Sequence, residues 1–286
     1  MSEAVTAKNP NVKKAADFFG KMELLPEQEF ECPTHGTYRG QPFNGRLFQN
    51  ESRIIPPDCP QCEFEKNERE KEYLKIEKEK ARIAAYESMG IRKKYYDTEF
   101  SNFNAYTDEL KKHYKTTKNF AENPDGKLVM LGENGTGKTH LAVSILKEVG
   151  GVMYKALEIF MRLQQSYNGI SQEWKILKES CEQDLLIIDE IGRTKGSDWE
   201  LDRMSYIIDT RHVSEKPLIL ISNRHLRENC PKGEKGCDKC LENFFDNDVI
   251  SRITEDGIVL RFTGDDYRRR IGEKYREEKR KEANKQ

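Results

Sequence analysis

The sequence lacks any long run of apolar residues. No stretch reaches the roughly 18 consecutive apolar residues that a membrane-spanning helix needs, and residues 1–19 have no apolar core of a secretory signal. We therefore expect a cytoplasmic protein with no membrane partner. Because thiols stay reduced in that compartment, the seven cysteines are expected to bind metal or remain buried thiols rather than form disulfides.

The sequence also lacks a large net charge, since 49 Lys and Arg oppose 50 Asp and Glu. Global charge therefore cannot attract nucleic acid, and any such binding must depend on a local basic or aromatic patch. Charged residues still make up 35% of the chain, which indicates solvated helices or tails. In 63–82 they often stand three or four residues apart, as in Glu68/Lys71 and Glu65/Arg69, and predict a charged connecting helix.

Two pairs of metal-binding residue types, Cys32-Pro-Thr-His35 and Cys59-Pro-Gln-Cys62, lie in a segment rich in Gly and Pro. Each pair can direct two ligands at one ion, and together they predict a tetrahedral Cys₃His zinc site of the structural kind. A module this small buries little apolar surface, so zinc would supply the missing stability. The alternative is a set of scattered thiols that bind nothing.

Strand-like and helix-like segments alternate after the turn signal Asn123-Pro-Asp-Gly126. This alternation predicts an α/β fold with a parallel sheet and right-handed crossovers. The predicted strands are 127–131, 152–155, 185–188, 217–221 and 258–262, and the predicted helices are 138–148, a stretch ending at Leu163, and 199–212.

The first predicted strand leads into Gly132-Glu-Asn-Gly-Thr-Gly-Lys-Thr139, which matches the G-x-x-x-x-G-K-[ST] pattern and opens a helix. Glycines let backbone N–H groups surround phosphate oxygens, and the helix N-terminus adds partial positive charge. Lys138 would bind the β and γ phosphates of ATP, and the Thr139 hydroxyl would hold Mg²⁺. The predicted ATP-binding residues are Gly132, Glu133, Asn134, Gly135, Thr136, Gly137, Lys138, Thr139 and His140.

Two carboxylates, Asp189 and Glu190, follow the buried strand Leu185-Leu-Ile-Ile. Asp189 would share the Mg²⁺ with Thr139, and Glu190 would polarise the attacking water as a general base. Asn223 ends the next strand and would lie beside the γ-phosphate if that strand neighbours the central one. The alternatives are two surface carboxylates and an ordinary turn asparagine.

From about Gly90 to Arg270 the sequence resembles the AAA+ helicase loaders related to bacterial DnaC and DnaI, with prophage-encoded versions, and the IstB transposition helpers. The motifs that carry the resemblance are GIRKKYYDTEFSNF, GENGTGKTHLA, LLIIDEIG, LILISN, DVISRI and FTGDDYRRR. The resemblance implies an AAA+ P-loop core that hydrolyses ATP, preceded by a small zinc-binding module and a charged helical linker. We accordingly expect an N-terminal helix and zinc module at 1–62, a linker at 63–95, an ATPase domain at 96–270 and a charged tail at 271–286.

The same resemblance assigns three further catalytic roles. Asn223 matches the sensor-1 polar residue, Arg252 the arginine finger that reaches a neighbouring subunit's nucleotide, and Arg268 the sensor-2 arginine, with its register uncertain up to Arg270. Such a finger stabilises charge that develops on the transferred phosphoryl group. Where some loaders have a second basic residue before the finger, this sequence has Asp248. The alternative for Arg252 is a surface arginine paired with a carboxylate.

Loaders of this family bind single-stranded DNA along an ATP-dependent spiral of subunits, and their zinc module contacts the replicative helicase hexamer. Tyr167, Ser197 and Trp199 match the DNA-contacting positions, and Lys155 could meet a phosphate. Aromatic stacking suits DNA binding without sequence preference. The alternative places both aromatics in the core or an interface.

A second group of cysteines lies between Asn223 and Arg252 and includes the pair Cys237-Asp-Lys-Cys240. Cys230, Cys237 and Cys240 could bind a second zinc, with His225 nearby and the fourth ligand left open. The alternative is a mobile insertion with free thiols.

The leading functional hypothesis is an ATPase that loads a hexameric replicative helicase onto single-stranded DNA. An IstB-like helper of DNA transposition is the first alternative. An ATP-controlled switch with negligible turnover is the second, and the presence of Asp189, Glu190 and Arg252 argues against it.

Overall fold

The structure is a computed structural model that describes residues 23–47, 51–165, 170–193, 197–233, 236–255, 257–269 and 276. The chain divides into two compact units that meet in sequence between Ala81 and Arg82. The expected N-terminal helix falls mostly within 1–22, outside the described residues, as does nearly all of the expected tail. The four-part division at residues 62, 95 and 270 stays a prediction. Within the described ranges, no helix is both long and apolar enough to cross a membrane.

The first unit contains short antiparallel strands in two small sheets, one with the order β1-β4-β5 and one formed by β2 and β3. The register of the second sheet opposes Cys32 to Gly36, and Gly36 has a φ of 77°, a conformation that favours glycine. The sequence predicts only a loop-rich module here, because such short, charged strands show little apolar alternation. The strands are β1 (Glu23–Leu24), β2 (Gln28–Cys32), β3 (Gly36–Gly40), β4 (Phe43–Leu47) and β5 (Glu51–Ile55).

A long charged helix, α1 (Pro60–Ser88), follows these strands and contains the connecting helix predicted at 63–82. None of its residues is buried. Lys71 lies 2.7 Å from Glu68, so that predicted pair forms. Glu65, predicted to pair with Arg69, instead places its carboxylate against His35. Over most of its length, intrahelical charge pairs rather than buried apolar side chains therefore support this helix.

The second unit is an α/β layer structure around a five-stranded sheet in the order β10-β6-β9-β8-β7. All neighbouring strands are parallel, so their carboxyl ends meet at one edge. The strands are β6 (Lys127–Gly132), β7 (Val152–Lys155), β8 (Leu186–Asp189), β9 (Leu218–Ser222) and β10 (Gly257–Phe262). The helices are α2 (Asp108–Glu122), α3 (Lys138–Val149), α4 (Ala156–Gln165), α5 (Ile170–Glu182), α6 (Asp198–Val213) and α7 (Asn247–Glu255).

The two faces of the sheet have separate apolar cores. In β6, Val129 and Leu131 face a core shared with α4, α5, α6 and α7, whereas Leu128 and Met130 face a core shared with α2 and α3. All four side chains are at most 1% exposed. Burial on both faces explains why the strand is continuously apolar rather than alternating.

One charged side chain, Arg211 of α6, lies inside this unit at 0% exposure. Its Nη1 donates to the carbonyl oxygens of Gln183 at 2.8 Å and Cys181 at 3.0 Å, and its Nη2 donates to that of Pro217 at 2.5 Å. Burial lowers the pKa of this guanidinium to about 10, so it stays charged at neutral pH. Arg211 thus connects the end of α5 to the start of β9.

The predicted α/β fold with a parallel AAA+-type sheet is confirmed. Each predicted strand of the second unit lies within one residue of an observed one, such as 185–188 against Leu186–Asp189. Three helices were not predicted, namely α2, α5 and α7. Their sequences are mainly polar. The few apolar residues that pack them onto the sheet can be identified as buried only when the fold is known.

Candidate nucleotide site and metal centres

The loop between β6 and α3 has the backbone of a phosphate cradle. Gly135 and Gly137 have φ values of 75° and 101°, which favour glycine. A Cβ at Gly137 would approach the Phe103 ring to 2.7 Å, and one at Gly135 would approach an Asp266 carboxylate oxygen to 1.7 Å. The loop therefore combines the glycine conformations and close approaches that are typical of a loop whose N–H groups surround an anion.

Lys138, the first residue of α3, is buried at the centre of this loop at 5% exposure. Its ammonium group donates to the carbonyl oxygens of Gly132 at 2.8 Å and Glu133 at 2.5 Å. Burial lowers its pKa to about 8, although the nearby Asp189 carboxylate partly offsets this effect. When a nucleotide binds, phosphate oxygens would replace these carbonyl oxygens as hydrogen-bond acceptors for the ammonium group.

The predicted magnesium ligands lie together. The Thr139 hydroxyl donates to an Asp189 carboxylate oxygen at 3.2 Å, and the other carboxylate oxygen accepts from the Glu190 N–H at 2.7 Å. Burial raises the pKa of Asp189, an effect that the two hydrogen bonds partly oppose. An all-oxygen donor pair next to a phosphate cradle fits Mg²⁺.

Glu190, the predicted general base, has a φ of 59°, and its side chain lies between two cations. One carboxylate oxygen is 2.7 Å from Lys155 Nζ and the other is 2.7 Å from an Arg193 guanidinium nitrogen. Burial alone would raise the pKa of Glu190, but these two hydrogen bonds lower it overall. Lys155, which the sequence suggested as a DNA phosphate contact, is therefore paired with a catalytic candidate. Sequence patterns do not show this pair, because its residues end different strands.

The cleft above the cradle has a volume of about 270 Å³, and its lining includes Lys138, Glu190, Asn223 and Arg268. Asn223 reaches it because β9 lies between β6 and β8, the arrangement its predicted role requires. Arg268 is held by two 2.8 Å hydrogen bonds to Asp266. Within the described residues, the lining of this cleft does not include Arg252.

Arg252 lies on α7 and forms an ion pair with Asp209 of α6. Its side chain remains 42% exposed. This is the surface pairing considered as the alternative for Arg252, and it leaves the guanidinium partly exposed.

The sequence did not predict the residues that form the far wall of the cleft. It includes Gly90, Arg92, Tyr95 and Met153, and Arg92 is paired with Glu158. Three of these residues, Gly90, Arg92 and Tyr95, lie in the GIRKKYY stretch, which contributed to the family resemblance but was assigned no role at the nucleotide site.

The first cysteine and histidine group fits a zinc ion. His35 Nδ1 lies 3.7 Å from Cys32 Sγ, 3.7 Å from Cys59 Sγ and 3.3 Å from Cys62 Sγ. At a tetrahedral zinc, a nitrogen and a sulfur ligand lie about 3.5 Å apart and two sulfur ligands about 3.8 Å apart, given bond lengths of about 2.0 and 2.3 Å. His35 Nε2 contacts a Glu65 carboxylate oxygen at 3.0 Å, which directs Nδ1 at the sulfurs.

Backbone N–H groups also favour a thiolate in this group. Those of Thr34 and His35 are the main reason that the pKa of the Cys32 thiol falls to about 6. Zinc binds the deprotonated thiol, so this environment suits the predicted Cys₃His site.

The donor atoms of the second cysteine and histidine group also lie close together. Cys230, Cys237 and Cys240 have ligand atoms within 4.8 Å of one another and of a His225 ring nitrogen. The fourth ligand that the sequence left open is thus available from His225.

The three predicted DNA-contacting residues have different surroundings. Tyr167 lies outside the described residues. Ser197 caps α6, its hydroxyl accepting from the Glu200 N–H at 3.4 Å. Trp199 packs partly buried against the core beside Phe160, with ring centroids 6.4 Å apart. These contacts give Ser197 and Trp199 structural roles in this unit.

A parallel sheet, a glycine-rich phosphate cradle and adjoining carboxylates define the second unit as an ATP-binding P-loop core of the AAA+ type. The chain belongs to the family of IstB-like ATP binding proteins, whose model matches residues 64–274. It is similar to the replicative helicase loader DnaC of Escherichia coli (strain K12), with 25% identity over 170 residues that cover 56% of this chain and 67% of that protein.

Two further comparisons agree. The replicative helicase loader DnaC of Buchnera aphidicola subsp. Schizaphis graminum is 27% identical over 198 residues, covering 65% of this chain and 76% of that protein. A crystal structure of the DnaC helicase loader matches with a TM-score of 0.53 and 25% identity, covering 60% of this chain and 100% of that one. The resemblance to DnaC-type loaders with IstB-like relatives is confirmed.

Proposed function

We propose that this protein is an ATP-dependent helicase loader that binds a hexameric replicative helicase and deposits it on single-stranded DNA. The similarity to proteins named replicative helicase loader DnaC supports the helicase partner. The ATPase part rests on one observation, the 3.2 Å contact between Thr139 and Asp189 directly beside Glu190.

We propose the following roles in hydrolysis. Lys138 and the loop N–H groups bind the phosphates, and Glu190 accepts the proton of the attacking water. Mg²⁺ held by Thr139 and Asp189 would neutralise phosphate charge. Asn223 and Arg268 line the same cleft and stabilise the terminal phosphate. The nucleoside lies at the wall that contains Tyr95 and Met153.

We propose that Arg252 acts on the nucleotide of a neighbouring copy within an ATP-dependent spiral. Its half-exposed position outside its own cleft supports this role. Two variants test it, Arg252→Ala and Glu190→Gln, each expected to be nearly inactive alone. Mixing them creates hybrid sites with an intact Glu190 and an intact Arg252, so turnover should exceed that of either variant. No gain on mixing, with assembly intact, would place Arg252 outside the reaction.

We propose that single-stranded DNA contacts the ATPase unit through exposed aromatic side chains, with Tyr167 as the family position. Trp174 is 54% exposed, and its ring centroid lies 6.0 Å from that of Tyr206. This pair provides a stacking surface that sequence reasoning missed, because aromatics in a polar helix give no distinctive pattern. Trp174→Ala should weaken DNA binding several-fold in a fluorescence anisotropy titration, and unchanged affinity would remove Trp174 from the interface.

A transposition helper remains the second candidate, because the matched family model is IstB-like. The group formed by Cys32, His35, Cys59 and Cys62 favours the loader, because the resemblance to helicase loaders implies a zinc module that contacts the helicase.

Complex formation with the replicative helicase of the same organism or its phage tests the proposal. Mass measured in solution with ATP and Mg²⁺ should show a complex for the wild-type chain and its loss for Cys59→Ser. Cys181→Ser is the matched control, because this buried thiol lies outside both metal groups. Absence of a wild-type complex with either helicase would refute the loader assignment and favour the transposition helper.

A further inference from the structure

The segment after β9 contains a second compact donor set. His225 Nε2 lies 3.3 Å from Cys237 Sγ and 3.6 Å from Cys240 Sγ. Together with Cys230 Sγ, the four ligand atoms all lie within 4.8 Å of one another. The 3.6 Å separation matches the roughly 3.5 Å expected between nitrogen and sulfur ligands of tetrahedral zinc, and the 3.3 Å separation is close to it.

Each of the three sulfurs also faces a backbone N–H group. The N–H of Lys232 points at Cys230 Sγ at 3.4 Å, that of Lys239 at Cys237 Sγ at 3.4 Å, and that of Cys237 at Cys240 Sγ at 3.2 Å. Such N–H groups stabilise thiolates, the form that binds metal. Free thiols on a mobile insertion would not require this arrangement.

The backbone brings the donors together from both ends of the insertion. The His225 N–H donates to the Lys239 carbonyl oxygen at 3.2 Å, and the Leu241 N–H donates to that of His225 at 2.9 Å. Cys240 is completely buried, whereas Lys232 and Lys239 are exposed. With so few apolar side chains in the turn, a metal is a suitable source of its stability.

This segment is joined directly to the nucleotide site. Asn223 lines the cleft and stands two residues before His225. Between them, the carbonyl oxygen of Arg224 accepts from the N–H of Gly132, the first glycine of the cradle, at 3.1 Å. The Arg224 side chain donates to the carbonyl oxygen of Asp238, between two of the cysteines, at 2.6 Å. A displacement at the cysteines would therefore move both Asn223 and Gly132.

We propose that His225, Cys230, Cys237 and Cys240 bind one structural zinc ion, and that this ion holds Asn223 and Gly132 in position for nucleotide binding. The second part rests on the proposed nucleotide site, whereas the first does not. The ATPase core thus contains its own metal, separate from the zinc of the N-terminal group.

Zinc counting by native mass spectrometry of the full chain, purified with zinc present, tests the first part. We expect two zinc ions on the wild-type chain, one on Cys59→Ser, one on Cys237→Ser and two on the control Cys181→Ser. A wild-type chain with at most one zinc, or a Cys237→Ser chain that keeps two, would overturn the proposal. The wild-type count does not depend on any variant folding.

Titration with a fluorescent ATP analogue tests the second part. Cys237→Ser should raise the Kd at least tenfold relative to Cys181→Ser. An unchanged Kd after loss of one zinc would refute the coupling to the nucleotide site. A wild-type chain that carries two zinc ions but binds no ATP would refute the proposed nucleotide site together with the coupling, while the zinc assignment would stand.

Discussion

Replacing Arg211 with Met should destabilise the second unit strongly. Methionine fills similar space but cannot satisfy the carbonyl groups of Cys181, Gln183 and Pro217, all within 3.0 Å of the guanidinium. Three charge-assisted bonds at about 1–2 kcal/mol each give a loss of about 3–6 kcal/mol in the free energy of unfolding. For a unit of this size the loss corresponds to a fall in Tm of about 6–24 °C.

Tryptophan fluorescence during urea or thermal unfolding measures this effect selectively, because Trp174 and Trp199 both lie in the second unit. Arg211→Lys keeps the charge but cannot reach several carbonyl groups at once, so an intermediate loss is expected. Lys178→Met is the control, since this exposed residue forms a 3.6 Å ion pair with Glu182 at the surface. A loss below about 1 kcal/mol for Arg211→Met would refute the role assigned to the buried guanidinium.

Three further predictions concern the nucleotide site. ATP binding should raise the pKa of Lys138 from about 8, so affinity for ATP should be greatest below pH 8. In a fluorescent-nucleotide titration, the Kd should therefore rise about tenfold from pH 7 to pH 9. A Kd that does not change with pH would contradict the buried environment of this ammonium. Glu190→Gln should lower phosphate release by about 10²–10⁴-fold while ATP affinity is retained, and unchanged turnover would exclude Glu190 as the base. Lys155→Met removes one of the two cations that lower the pKa of Glu190. Because the carboxylate then becomes a stronger base, basal ATP turnover without DNA should rise a few-fold. A fall in turnover would indicate that Lys155 itself assists the reaction.

The phosphate cradle could be predicted in detail because its signal is local. Glycines, Lys138 and Thr139 stand at fixed spacing in one short segment, and the preceding strand is apolar throughout. Strands buried on both faces could also be predicted from local sequence, because each is a continuous run of apolar residues in one short segment.

Contacts that join distant segments gave no such signal. Glu190 is paired with Lys155 across neighbouring strands, and Arg252 with Asp209 across two helices. His225 lies against Cys237 and Cys240 because β9 ends beside the cysteine turn, a placement that no spacing rule for C-x-x-C pairs contains. Charged residues are too common in this chain for any one of them to be singled out before the fold is known.

The order of strands in the sheet also has a consequence for synthesis of the protein. β6 carries the cradle, yet one of its two neighbours is β10, which the ribosome produces last among the strands of the second unit. The Phe262 carbonyl oxygen accepts from the Glu133 N–H at 3.1 Å, and the Tyr267 N–H donates to Gly135 at 3.0 Å. A nascent chain without β10 lacks these supports, so nucleotide binding should appear only after this strand has left the ribosome.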